Sequence, residues 1–473
     1  MTSTLPAILV ALLLPWLLGC QLARWLMGAT HPLSSCLGYG YLLGLLLVTW
    51  TIKACDALAL PLQFWSITAV LLLTTGVAYG ALYRYGGSTY SAAGLQPARP
   101  PKHLPSLWKI GIVGMLSLAT VGHFVGVTHE LLLRPTFPWD AWSSWQPEAI
   151  QYFDHRSLYA PVDTNRNYGE LTTLTLLWMM LASGETHQPL LHLPWLCIYG
   201  ALGLVVHGHL QERCGALGAA VGGYLVLSLP YLNIHTALAG YADIWIAVIF
   251  TAGILSLHRY LQTRRIGELA LFLLMIIVCA QSKRAGAGFA IALLGVAAIT
   301  WMLHAKRIVA LLIGSLGALG LAVLVLVITG NLDLEIPLSP SRTLTFSASE
   351  LRVTDLFFFH LSAEWHPESF VQAIFQYSSW HLTTWYWCAT ALLMVALRRW
   401  QAMASPESLG ILLGLGVTLL FFYLEPRSAL DQTRLSRVLL YLLPLAIVMF
   451  ISQASWVASR ATIPAMRQGL ERQ

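Results

Sequence analysis

Apolar runs of about 17–24 residues, the length a helix needs to cross a hydrocarbon core, recur from one end of this chain to the other. Helices that are apolar all round have no face to offer water, so repeated runs of this kind exclude a soluble fold. The reading places spans at 5–26, 37–58, 62–83, 107–128, 188–207, 215–233, 241–258, 267–281, 287–303, 308–329, 379–397, 408–423 and 438–457. A shorter stretch, Leu171–Leu181, is expected to lie in the interface or to re-enter. Charged residues make up 10% of the 473 and hydrophobic ones 57%, against roughly 25% charged in a soluble domain. The expected fold class is therefore an all-α polytopic membrane protein with about 13 transmembrane helices.

Orientation follows from the short loops, because Lys and Arg collect on the cytoplasmic side. Alternating spans put Arg84, Arg99, Lys102, Arg213, Arg259, Arg264, Arg265, Lys306, Arg307, Arg398 and Arg399 on one side, with tail residues Arg460, Arg467 and Arg472. Loops 129–187, 330–378 and 424–437 then face outward, and the first two are long and rich in Asp and Glu. Residues 1–27 lack a basic leader and run straight into further spans, so they read as a retained helix. The expected organisation is accessory helices over 1–106, a membrane domain over 107–457 and a cytoplasmic tail over 458–473. The net charge of +6 is scattered over short loops, which gives nucleic acid no basic patch to bind. The seven cysteines form no C-x-x-C pair and imply neither zinc nor a disulfide framework.

The polar break Arg134–His155 stands out among the apolar runs. Trp139, Trp142 and Trp145 recur every third residue and on a helix would share one face, suited to a bilayer surface or to stacking on sugar. Asp140 sits among them. Two further segments put cations on the outer face against the general charge pattern. Gln281–Gly288 holds Lys283 and Arg284, and Leu424–Arg437 holds Arg427, Arg434 and Arg437. Cations at glycine-lined backbone suit a phosphate, while pairing with Asp431, Glu425 or lipid headgroups is the alternative. Asp243, at the mouth of the 241–258 span, reads either as a helix cap or as a functional carboxylate. The histidines have no metal-ligand spacing, and Lys53 and Asp56 read as a local ion pair.

In order along the chain stand Pro138-Trp-Asp-Ala-Trp-Ser-Ser-Trp145, Gly240-Tyr-Ala-Asp243, Ser282-Lys-Arg-Ala-Gly286 and Ser436-Arg-Val-Leu-Leu-Tyr-Leu-Leu-Pro444. Together they resemble the motifs of GT-C type membrane glycosyltransferases over roughly 107–457. The chain departs from that pattern at Arg284-Ala285, where Asn-Glu is usual, and at Ser436 and Tyr441, where Asp and His are usual. The resemblance implies a GT-C-like fold in a bacterial inner membrane with its active site on the non-cytoplasmic face. It implies transfer of a sugar from a polyprenyl-phosphate donor to a lipid, glycan or protein acceptor. Asp140 would be the base, Asp243 its helper, and Lys283, Arg284, Arg434 and Arg437 would bind the donor phosphate. Trp139, Trp142 and Trp145 would stack on sugar or anchor the loop at the interface. No cofactor is expected, with a divalent metal between two carboxylates as the open alternative. The rival classes are a transporter or flippase of lipid-linked sugars, and a surface-polysaccharide ligase or polymerase acting through Arg342, Arg352 and His366.

Overall fold

The computed structural model describes residues 4–28, 31–85, 106–134, 136, 138–158, 170–304, 334–339, 342–347, 350–353, 357–360, 364–377 and 379–470. These residues are mostly helical. In chain order the helices are α1 (Thr4–Met27), α2 (Leu33–Ala57), α3 (Phe64–Tyr85), α4 (Leu107–Leu133), α5 (Gln146–His155) and α6 (Glu170–Ser183). After them come α7 (Leu193–Leu227), α8 (Pro230–Ala237), α9 (Asp243–Thr263), α10 (Ile266–Ser282) and α11 (Arg284–His304). The last four of the longer helices are α12 (Thr383–Ala396), α13 (Pro406–Leu424), α14 (Gln432–Leu439) and α15 (Leu443–Leu470), with short helical turns at Pro367–Val371, Trp400–Met403 and Pro426–Leu430.

Eight helices among the described residues are long and apolar enough to cross a membrane, and Phe64–Gly80, Glu170–Ser183 and Ile266–Ser282 are shorter apolar helices. One of the eight, the stretch Pro189–Leu227, is two helices joined at a kink and reverses within itself. Gly215 takes φ 72° and ψ −175°, a left-handed φ that glycine adopts without a Cβ clash. Gly203 thereby packs on Leu227 and Gly222 on Leu210, so residues on either side of Gly215 run antiparallel. The spans expected at 188–207 and 215–233 fall on the two arms of this hairpin, the second of which ends at Leu227 before the separate helix α8. The stretch expected at 379–397 forms a helix of 14 residues, and the span expected at 308–329 lies outside the described residues.

α9 is the axis of the bundle. Every residue from Asp243 to Arg259 is buried, beneath α7, α10, α11 and α13. α4 lies at the edge, with Leu107, Trp108, Met115, Leu118, Val121 and Val125 exposed. A continuous apolar stripe facing outward suits lipid and is costly in water. α6 is buried along its whole length from Leu171 to Ser183. Trp178 Nε1 donates to Ala11 O at 2.9 Å, and Tyr39 Oη of α2 donates to Ala252 O at 2.9 Å. These bonds satisfy polar atoms that have no water to bond inside the bundle.

Two local expectations are corrected. Loop 330–378 holds a four-stranded antiparallel meander, β1 (Leu334–Ser339), β2 (Arg342–Phe346), β3 (Glu350–Val353) and β4 (Phe357–His360). Leu334 pairs with Phe346, Leu344 with Val353 and Arg352 with Phe358. Strands of four to six residues escape a search for long apolar runs, although Thr343, Thr345 and Phe357–Phe359 carry β-forming side chains. The Lys53–Asp56 pair does not form. Lys53 pairs with Glu170, and Asp56 Oδ1 accepts the Leu158 N–H at 2.8 Å. Spacing on one helix offers a neighbour, and tertiary packing supplied better ones.

Candidate functional site

Four charged residues from four separate segments meet at one end of the bundle. Asp140 ends the turn at Pro138, whose carbonyl accepts the Ala141 N–H at 2.9 Å. It precedes a π-helical turn, Ala141–Trp145, that leads into α5. Asp243 opens α9. Lys283 is the extended residue between α10 and α11, and Arg437 lies on α14.

Two glycines allow these segments to approach. At Gly240, φ is 121°, and a Cβ there would stand 2.4 Å from Ala141 Cβ, so the Asp140 turn docks directly on the Asp243 loop. At Gly286 a Cβ would stand 2.2 Å from Cys279 O, which keeps the α10–α11 corner tight around Lys283. Trp195 Nε1 holds the Asp243 loop by donating to Tyr241 O at 2.9 Å. Thr136 Oγ1 and His192 Nε2, 3.0 Å apart, hold the Asp140 segment.

Arg437 Nη1 donates to Asp140 Oδ2 at 2.7 Å. Lys283 Nζ lies 3.1 Å from Asp243 Oδ1 and 3.6 Å from Asp140 Oδ2, so its ammonium bridges the two carboxylates. The Tyr441 hydroxyl donates to Asp243 Oδ1. Asp243 is 1% exposed, while Asp140, Lys283 and Arg437 keep 15–18% of their side chains open. Two carboxylates and two cations balance, as charges drawn out of water must. Burial works against the Arg437 charge, but Asp243 and Asp140 outweigh it and hold the guanidinium pKa above its ordinary value.

An aromatic wall backs the cluster. The Arg437 guanidinium sits 4.4 Å above the Tyr241 ring, within cation–π range. The Tyr241 ring packs on His235 at 4.8 Å, and His235 on Tyr231 at 4.5 Å. His235 Nδ1 faces Tyr231 O at 3.0 Å, and burial lowers the imidazole pKa to about 4, so it is neutral at pH 7. Arg437 Nε and His235 Nε2 are buried without a partner among the described residues. Nothing in the sequence pattern singled out His235, Tyr231 or the cation–π role of Tyr241. Tyr441 stood out as a departure from the GT-C motif that its segment resembles, and its contact with Asp243 is a tertiary fact.

Of the other candidates, Arg434 stays outside the cluster. Its Nη1 donates to Ser428 Oγ at 2.9 Å, and its Nε lies 3.2 Å from Asp431 Oδ2. Arg437, three residues on, turns inward instead. The Arg284 backbone starts α11, and its side chain lies outside the described residues. Trp139 and Trp142 are exposed and meet edge to face at 4.3 Å, but Trp145 is fully buried. The π-helical turn and the packing of α5 separate it from the other two, so no shared three-Trp face exists. In loop 330–378, Arg352 is exposed, His366 pairs locally with Glu368 at 3.2 Å, and the Arg342 side chain lies outside the described residues. Among the described residues no group of three or more His, Cys, Asp or Glu is placed to hold a metal ion, and the position between Asp140 and Asp243 is taken by the Lys283 ammonium.

No family model, curated protein or solved structure matches the chain.

Proposed function

We propose that this multi-pass membrane protein is a glycosyltransferase of the GT-C type. It would act at the non-cytoplasmic face of a bacterial inner membrane and take its sugar from a polyprenyl-phosphate donor. The observation that supports this reading is the meeting of Asp140 and Asp243 with Lys283 and Arg437, which joins a carboxylate base to phosphate-binding cations within one contact shell. The exposed Trp139 and Trp142 beside it are suited to a sugar face or to the bilayer interface.

In this mechanism the donor phosphate draws Arg437 and Lys283 toward itself and frees the Asp140 carboxylate. Asp140 takes the proton of an acceptor hydroxyl or amine as that atom bonds to the anomeric carbon. The bond from that carbon to the bridging phosphate oxygen breaks, and polyprenyl phosphate leaves with the electron pair. A single displacement inverts the anomeric centre. Once drawn onto the leaving oxygen, the two cations act strongly in a site shielded from water. Asp243, held by Lys283 and Tyr441, positions the ammonium. The reaction so written needs no metal.

The test supplies purified protein in lipid with a set of polyprenyl-phosphate sugars and a broad acceptor pool, and follows polyprenyl phosphate release. Base catalysis is worth about 10²–10⁴-fold, so Asp140→Asn should lower release by at least about that factor. Equal release by both proteins would remove Asp140 as the base. Absence of release from every donor by a folded protein would refute the transferase and leave transport of the lipid-linked sugar as the reading to pursue.

A further inference from the structure

A second group of cations lies at the opposite end of the bundle. His258 follows Asp243 by fifteen residues of α9, which at 1.5 Å per residue puts it about 22 Å away. There a cavity of about 190 Å³ is lined by Arg213, His258, Arg399, Glu407, Ser452 and Gln453, among others. That volume is several times the roughly 30 Å³ that one liquid water occupies.

The charges around this cavity do not balance. Among the described residues Glu407 is its one carboxylate, and it is fully engaged. Arg213 Nη1 donates to it at 2.7 Å, His258 Nδ1 lies 3.0 Å away, and His209 Nε2 lies 3.5 Å away. Arg399 Nη1 donates to Gln453 Oε1, and its guanidinium stacks 3.5 Å from the Trp456 ring. Arg460 lies 4.4 Å from the same ring. Neither Arg399 nor Arg460 has an ion-pair partner among the described residues. Burial, then Arg460 and Arg213, pull the Arg399 pKa below its ordinary value, which marks cations crowded without a counter-charge. Ser452 Oγ is buried and without a partner among the described residues.

We propose that this cavity binds the phosphate group of an anionic ligand through Arg399, with Arg213 and Ser452 beside it and Arg460, on the Trp456 ring outside the lining, as a flanking charge. Guanidinium forks match phosphate oxygens geometrically, and one anion would relieve the repulsion between the two arginines on Trp456. The ligand is either the headgroup of an anionic phospholipid or free phosphate. The indole and the exposed Leu397 and Val457 nearby suit acyl chains at a membrane boundary. Nothing in this site depends on the glycosyltransferase reading.

Two probes distinguish the sources. Native mass spectrometry of protein taken from phosphatidylglycerol or phosphatidylcholine bilayers reads retained lipid, and thermal unfolding in detergent with 0 and about 10 mM inorganic phosphate reads free anion, at a concentration suited to about millimolar affinity. The variants are Arg399→Gln with Arg460→Gln, and Arg460→Gln alone, an exposed change that leaves the Glu407 network intact. Retention of phosphatidylglycerol but not phosphatidylcholine should fall roughly tenfold for each guanidinium lost, the order of one charge-assisted contact. A stabilising shift from inorganic phosphate that vanishes in the variants would also establish the site and identify the ligand as free phosphate. Lipid retention and thermal shifts unchanged by either variant would overturn the proposal.

Discussion

Removing the Lys283 ammonium should be far more damaging than removing another paired lysine, because burial decides the worth of an ion pair. Lys283→Met leaves Asp243, 1% exposed, with a hydroxyl from Tyr441 and no adjacent ammonium. Breaking a buried pair by deleting one partner typically costs about 3–5 kcal/mol, since the remaining charge stays desolvated. Lys53 is also paired, with Glu170, but their side chains are 35% and 55% exposed. Exposed pairs are worth about 0–1 kcal/mol, so Lys53→Met should fall within that range. The assay is reversible unfolding in mixed micelles, with Asp243→Asn and the Asp243→Asn/Lys283→Met double variant completing a cycle. The double variant removes both charges and should be less destabilised than the sum of the singles by at least about 1 kcal/mol. Additivity within about 0.5 kcal/mol, or equal costs for Lys53→Met and Lys283→Met, would refute the argument that Lys283 neutralises a desolvated Asp243.

Three further outcomes are expected. Tyr441→Phe deletes a hydrogen bond to a buried carboxylate and should cost about 1.5–3 kcal/mol in the same unfolding assay. Gly240→Ala forces a side chain into a positive-φ position and against Ala141, at about 1–3 kcal/mol of strain. Displacing the Asp140 turn by about 1 Å should also lower any turnover by about 10²-fold. His235 is held neutral by burial, with its pKa lowered from 6.5 to about 4. The unfolded chain therefore binds the extra proton first as pH falls. The contribution of neutral His235 to stability is complete above pH 6.5 and is lost progressively from there to about pH 4, about 3 kcal/mol in all. His235→Asn should flatten that part of the stability–pH curve, and an unchanged slope between pH 6.5 and 4 would contradict it.

Much of the membrane architecture was legible because hydrocarbon imposes its length on sequence locally. An apolar run needs no knowledge of its neighbours to be recognised as a span, and eight long apolar helices follow from that rule. The alternation of apolar spans likewise separated Asp140, Asp243, Lys283 and Arg437 from Arg213, Arg399 and Arg460, and the structure gathers each set at its own end. Short strands in loop 330–378 carried no such signature, since four residues leave little periodicity to read.

What only the tertiary structure decided is which charges meet. Asp140 and Arg437 stand 297 residues apart, and nothing local distinguishes Arg437 from Arg434 three positions earlier. Three positions apart, they lie on neighbouring parts of one helix face, yet Arg437 reaches the carboxylates while Arg434 stays at the surface with Asp431. The same holds for Trp145, whose spacing matches that of Trp139 and Trp142 but whose ring the packing of α5 buries. Hydropathy is a property of each segment alone, whereas ion pairing and burial depend on which segments the bundle brings together. Sequence by itself determined that this chain is a membrane protein with polar loops between its spans; folding determined that four charges from four of its segments form one site.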